Sequence, residues 1–402
     1  MTVKKLDSLC DFISGLWIGK KPPYIKVGVI RNTNFHKSGN LDFSDIAKLN
    51  VEVKQFSTRQ LRFGDIILEK SGGGPKQPVG RVCVFEKQEE LFSLSNFTAA
   101  IRIKNTKELD YKYLHYYLKH LYITGETEKI QTNSTGIRNL QLGLYKEFLV
   151  PLPSLKIQQT IVTKLDRIFT EIDKATVVAE ANAKNAEALF QNYLTEIFES
   201  GGDGWEIKSI EEITLKTENV SFNKSPKSEF KYVDVSSVSN SSYSIISTQT
   251  LLGKDAPSRA KKNIITNDIL FATVRPTLKR IAIIPEYLNN QVASTGYVVL
   301  RTNIKNYYKF LFYFLFTRKF NDAMKDLQKG ASYPAVTDSD VKSQKLFVPK
   351  LEDQYKITDK LDKLKSNINI KIISQLKKIK ELKALKKSIL KQAFNGELVK
   401  AA

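Results

Sequence analysis

The chain has 402 residues, 42% of them hydrophobic, enough to bury more than one core and too many for a disordered polyelectrolyte. Its 63 Lys and Arg against 42 Asp and Glu give a formal charge of +21, which favours a polyanionic partner, nucleic acid first and an acidic membrane surface second. Cys10 and Cys83 are too few for a disulfide framework or a four-cysteine zinc site, no run approaches the ~18 apolar residues of a membrane span, and Met1-Thr-Val-Lys-Lys-Leu-Asp7 lacks a signal-peptide core, so a cytoplasmic setting without membrane contact is expected.

Residues 1–150 mix β-like runs with polar turns: Val27-Gly-Val29-Ile30, Asp65-Ile66-Ile67-Leu68 and Val79 to Val84. An aromatic helix is predicted from Tyr111 to Tyr122. Several chemical motifs here are decoys. Lys21-Pro22-Pro23-Tyr24 lacks the Asn or Asp that an amino-methyltransferase uses ahead of Pro-Pro-Tyr, so it reads as a turn. Asp45 with Glu52-Val-Lys54 has the residue types of a nuclease metal site, at a spacing that chance supplies in a lysine-rich chain. Gly72-Gly73-Gly74 is followed by no Gly-Lys-Ser/Thr and helix, so a hairpin or base-approaching loop is expected instead of a phosphate cradle. His36, His115 and His120 show no metal-ligand spacing, and the last two read as packing residues; no metal site is expected.

At Pro153-Ser-Leu155 a long helix begins, and its opening recurs 196 residues later. Pro153, Leu155, Gln158, Ile161 and Lys164-Leu165-Asp166 match Pro349, Leu351, Gln354, Ile357 and Lys360-Leu361-Asp362. The seam Ile161, Leu165, Ile168, Ile172, Ala175, Ala179, Asn182, Ala186, Leu189 and Tyr193 alternates spacings of four and three, the heptad pattern of coiled-coil packing. Small residues narrow its middle.

The second half repeats the order of the first. Asp268-Ile269-Leu270-Phe271 answers the first Asp-Ile-Ile-Leu, Leu278 to Ile283 answers the strand around Arg81, and Tyr307 to Phe316 answers the aromatic helix. The second long helix has the seam Ile357, Leu361, Leu364, Ile368, Ile372, Leu376 and Ile379, whose bulky middle fits the alanines of the first. Residues 155–199 carry five basic and seven acidic groups, whereas 351–402 carry 13 lysines and six acids, so charge also favours pairing. An approximate two-fold relation makes that pairing antiparallel. The expected fold is α+β: two similar globular domains separated by two long helices that pack as an antiparallel coiled coil.

A protein that reads DNA needs Arg, Lys, Asn and Gln on exposed loops, since phosphate contacts give affinity and bidentate base contacts give discrimination. In the first domain Arg31, Asn32, Arg59, Arg62, Lys76, Gln77 and Arg81 are the candidates. In the second they are Arg259, Lys261, Lys262, Arg275, Lys279 and Arg280. Arg81 and Arg280 lead, because each sits where the repeated strand begins.

The linker Val150-Pro151-Leu152-Pro153, its partner Val348-Pro349-Lys-Leu351, the run Thr273-Val274-Arg275-Pro276 and the closing Ser388-Ile389-Leu390-Lys-Gln-Ala393-Phe394-Asn-Gly396-Glu397-Leu398-Val399 together resemble the specificity subunit of a type I restriction–modification system, over essentially the whole chain. The resemblance implies target-recognition domains at 1–150 and 201–345, each reading half of a bipartite sequence in double-stranded DNA. It implies conserved linkers and helices at 151–200 and 346–402 that dock two methyltransferase (modification) subunits, with restriction motor–nuclease subunits joining the full complex. The chain itself is then non-catalytic and holds no cofactor, while S-adenosylmethionine, ATP and Mg2+ belong to the partner subunits. The alternatives are a stand-alone nuclease or methyltransferase with an unrecognised site, or a coiled-coil scaffold with an incidental basic face.

Overall fold

The computed structural model describes residues 2–16, 21–36, 39–74, 77–88, 91–134, 136–222 and 225–400. The chain folds as two compact units, Met1–Ala179 with Lys377–Ala402, and Glu180–Leu376. Each long helix, Leu155–Ser200 and Leu351–Phe394, therefore contributes one half to each unit.

In the first unit a four-stranded antiparallel sheet runs in the order Cys10–Ser14, Thr98–Ile103, Ile66–Glu69, Val82–Val84. Ile66, Ile67 and Leu68 are buried on both faces, as their unbroken apolar run requires of a central strand. A second sheet pairs Tyr24–Ile30 antiparallel to Ala47–Glu52 and parallel to Phe92–Leu94. The second unit repeats the plan: Thr214–Leu215, Tyr297–Thr302, Ile269–Ala272 and Ile281–Ile283 form one sheet, and Gln249–Leu252, Glu229–Val233, Gln291–Ser294 and Ala260–Ile264 the other. In both units the strand leading to the long helix is paired by the unit's first strand, Thr2–Lys5 with Leu149–Leu152 and Glu206–Ser209 with Lys345–Val348.

The repeated linker residues have one job in both units. Gln158, fully buried, accepts the Asp110 amide at 2.9 Å and donates to the carbonyls of Glu108 and Pro153, both at 2.9 Å. Gln354 accepts the Tyr307 amide at 2.8 Å and donates to the Pro349 carbonyl at 2.9 Å. Each glutamine thus ties the long helix to the start of the aromatic helix, Tyr111–Ile123 or Tyr308–Phe314, by satisfying amides and carbonyls that burial takes away from water. About two helical turns on, Asp166 accepts the Tyr116 hydroxyl and Asp362 accepts the Tyr313 hydroxyl. Burial, then these carboxylates, push both phenols above the ordinary tyrosine range. His115 and His120 lie on the aromatic helix as packing residues; the His120 ring packs tilted against Phe394, with centroids 5.5 Å apart.

The two long helices run antiparallel. In the first unit Ile161, Leu165 and Ile172 of the first share a core with Ile389, Leu390 and Ala393 from the end of the second, and Lys386 reaches Asp173. In the second unit Leu194 and Phe198 share a core with Leu361, near the start of the second helix. Ile368 and Ile379 are buried, as is Ala179, while Ile168, Ala175, Ile357, Leu364 and Ile372 are half-buried.

Three seam residues predicted from the heptads fall outside it, the exposed Asn182 among them. Leu189 is 57% exposed and Leu376 is 56% exposed. In the first helix the buried face passes one residue further on, through Phe190, Leu194 and Phe198, because the aromatic helix of the second unit offers rings for Phe198 (4.8 Å from Phe310) and Phe190 (6.2 Å from Tyr313). In the second helix Gln375 takes the half-buried position between Ile372 and Ile379. A spacing of three-then-four and one of four-then-three both connect those isoleucines, and hydropathy chose the leucine where packing chose the glutamine.

Candidate nucleic-acid interface

Beneath the loops of each unit lies a fixed charged frame. In the first, the Asp65 carboxylate accepts Arg102 through both oxygens (2.8 and 2.7 Å) and also the Arg62 amide (2.7 Å). In the second, Asp268 accepts Arg301 the same way (2.9 and 2.8 Å) together with the Ile265 amide (2.9 Å). Both carboxylates are buried, and the bond to Asp268 raises the Arg301 pKa. These pairs anchor the entry to the central strand.

The two arginines that led the sequence ranking belong to this frame. Arg81 is held bidentate by buried Glu69 at 2.7 Å on both contacts, lies 5.3 Å from the Phe35 ring centroid, and donates to the Phe35 carbonyl at 3.4 Å. The bond to Glu69 raises its pKa further. Arg280 donates to the Val238 carbonyl, with longer contacts to Val235 (3.4 Å) and Ser236 (3.5 Å). Both guanidiniums therefore brace the short 3-10 turn of their unit, Asn32–Asn34 or Val235–Ser237, from the adjoining strand. Lys262 is likewise occupied, with Asp338 at 2.7 Å.

The remaining candidates are placed differently. Arg31 meets Asp45 at 3.3 Å, and Arg59 folds back onto its own helix at the Gln55 carbonyl (3.4 Å). Arg62, Gln77, Arg259, Lys261 and Arg275 are exposed, Lys279 is half-buried, and Lys76 lies outside the described residues. Asn32 donates to the Ser71 carbonyl at 2.6 Å, and its buried Oδ1 has no partner among the described residues.

Above the frame the units diverge. In the first, Ser71–Gly73 forms a strand against Ile137–Leu140, itself paired with Gln131–Ser134, so the glycine run presents backbone at the foot of a polar hairpin, with Ser71 bonded to Asn139. A Cβ at Gly73 would approach the Gln77 carbonyl to 2.5 Å, which explains why glycine is needed there. In the second, Thr273–Pro276 occupies the corresponding place, bridged through Val274 to Ala335. Arg102, Arg301 and Tyr333 were missed by sequence reasoning; the first two were detectable as arginines in matching strands, Ile101-Arg102-Ile103 and Leu300-Arg301-Thr302.

The chemical decoys stay apart from any centre. Asp45 faces Arg31, and Glu52 accepts the Lys21 amide and Gln55. Burial pushes the Cys10 and Cys83 thiols up to about 12, which removes them as nucleophiles. Among the described residues no cluster of three His, Cys, Asp or Glu stands ready for a metal, and no helix is long and apolar enough to cross a membrane.

Two copies of one α+β unit, each with basic loops above a braced sheet and each sharing the same antiparallel helix pair, define a duplicated DNA-specificity protein. The model of the type I restriction modification DNA specificity domain matches residues 1–182 and again 202–381, and the chain belongs to that family. It is similar to the putative type I restriction enzyme MjaX specificity subunit of Methanocaldococcus jannaschii (23% identity over 374 residues, 88% of this chain and 84% of that one). The type I restriction enzyme HindI specificity subunit of Haemophilus influenzae is 32% identical over 120 residues, a match spanning 29% of this chain and 26% of that relative. The fold is that of a chain solved in work on complex assembly and conformational transition of the type I R-M system (TM-score 0.74, 17% identity, 98% of each chain). It also matches the HsdS subunit from Thermoanaerobacter tengcongensis (TM-score 0.57, 17% identity, 98% and 97% of the two chains). Members of the family confer specificity and leave catalysis to other subunits.

Proposed function

We propose that the chain reads a bipartite target in duplex DNA, with recognition domains at 1–150 and 201–345 each taking one half-site. The linkers and helices at 151–200 and 346–402 dock two methyltransferase subunits and, through them, the restriction motor–nuclease subunits. S-adenosylmethionine, ATP and Mg2+ then serve those partners, and the complex works on DNA in the cytoplasm.

One observation carries this reading. The Asp–Arg pair at the base of the frame is duplicated contact for contact, whereas the loops resting on it differ in chemistry. Such a division suits a protein that must address two different sequences from equivalent supports. The net charge of +21 supplies the sequence-independent attraction to phosphates, so binding weakens steeply with salt.

Modified-base sequencing of the host genome with the gene intact and deleted tests the proposal. The expected result is methyladenine at a split motif, short block–fixed gap–short block, that vanishes on deletion. Adding whole heptads to both long helices should lengthen the gap and leave both blocks unchanged. A gap that stays fixed in a folded, active insertion variant would sink the ruler role of the helices.

A further inference from the structure

Two of the positive-φ residues other than glycine, Arg275 (φ 50°) and Lys279 (φ 51°), fall in a single loop of the second unit. A left-handed backbone at a residue with a Cβ is disfavoured by contact with the following carbonyl oxygen, and it persists where the surroundings over-determine it. Here they do. The Thr273 amide and hydroxyl both donate to the Gly296 carbonyl (2.9 and 3.1 Å), the Arg275 amide donates to the Pro334 carbonyl (2.7 Å), and the Val336 amide donates to the Thr273 carbonyl (2.9 Å). Pro276 is buried directly behind.

The facing segment is a tight hairpin in which Lys329 and Ala335 exchange both backbone bonds (2.8 and 2.9 Å). It carries Tyr333, 73% exposed, and the Arg275 guanidinium stands 5.4 Å from that ring's centroid. Arg275 is itself exposed, and no ion pair among the described residues engages it, whereas Asp268 holds Arg301 and carbonyl oxygens hold Arg280. An aromatic stack restrains a guanidinium from one side and leaves its in-plane N–H donors available.

We propose that Arg275, seated on Tyr333, is a specificity-determining residue that reads a guanine in the half-site of the second unit. The assignment rests on the bipartite reading above. A phosphate contact needs only charge, which a flexible lysine provides without a fixed direction. A strained backbone pinned at several points and a stacked side chain serve a contact whose direction matters. Guanine presents O6 and N7 as the paired acceptors that a guanidinium fork matches.

The test is modified-base sequencing with the full complex carrying Arg275→Gly, which tolerates the left-handed conformation, or Arg275→Lys, which keeps the charge and loses the fork. Both variants are expected to relax one guanine position in one block by about 10-fold or more, with the other block and the gap unchanged. Tyr333→Ala should relax the same position less, and Tyr333→Phe should match the unaltered chain. A variant that fails to fold is recognised by its unfolding midpoint, and Arg275→Lys then carries the test. If Arg275→Lys reads as the unaltered chain does while Arg275→Gly weakens modification at every site alike, the contact is to phosphate and the assignment falls. Relaxation at a base other than guanine overturns the chosen base. A split motif absent even with the unaltered chain overturns the bipartite reading, and this assignment with it.

Discussion

The first unit meets solvent at its tip with a glycine strand and a polar hairpin, and the second with a strained arginine on a tyrosine, although both tips stand on the same frame. Asp65–Arg102 and Asp268–Arg301 are near-superimposable in chemistry, as are Gln158 and Gln354. The lesson is a division of labour. Residues that satisfy buried polar groups are held fixed by the cost of leaving such groups unpaired, and residues that face solvent are free to differ. The brace on the 3-10 turn lies between these extremes, since Arg81 and Arg280 grip equivalent carbonyls but only Arg81 also neutralises a buried carboxylate.

The strongest test of the shared frame is its symmetry. Asp65→Ala and Asp268→Ala each strand a largely buried arginine, and each should cost about 3–5 kcal/mol in denaturant unfolding of the full chain. A large loss in one unit and none in the other would break the equivalence. Arg81→Ala and Arg280→Ala should separate. The first leaves Glu69 buried and unpaired and should cost about 3 kcal/mol, while the second loses contacts to carbonyls and should cost about 1 kcal/mol. Neither should change the bases read, so a shifted motif in Arg81→Ala would return that residue to the interface.

The helix pair offers a sharper contrast. Leu361→Ala, at a fully buried site, should cost about 2–5 kcal/mol, whereas Leu376→Ala and Leu189→Ala, more than half exposed, should stay within about 0.5 kcal/mol. Equal effects would restore the heptad seam read from the sequence. Gln158→Ala and Gln354→Ala should each cost about 1–3 kcal/mol, because an amide and two acceptors lose their partner together.

A further contrast concerns pH and only the first unit. Burial, assisted by Lys119 and Lys112, lowers the His115 pKa to about 3. Between pH 6.5 and 3 the unfolded chain therefore binds a proton that the folded chain refuses, and stability falls as pH falls through that window. Unfolding profiles of His115→Gln should be flatter there than those of the unaltered chain. An unchanged slope would mean that other groups set the acid limit.

Much of this architecture was legible in one dimension. The 196-residue repeat, its Gln and Lys-Leu-Asp offsets, the aromatic helices and the excess of lysine defined two units, two long helices and a polyanionic partner, because periodicity and duplication are properties of order along the chain. Individual roles were not legible. Composition presents Arg81, Arg102, Arg275, Arg280 and Arg301 as equal cations, and only folding brings Glu69 or Asp268 within reach of some of them while leaving Arg275 on a tyrosine 58 residues away. The same holds for Leu189 and Leu376, whose burial depended on which neighbour, an aromatic helix or water, faced that side of the seam. Sequence fixes which groups exist and how they recur; the tertiary structure decides which charges are consumed internally, because pairing depends on distances that chain order does not contain.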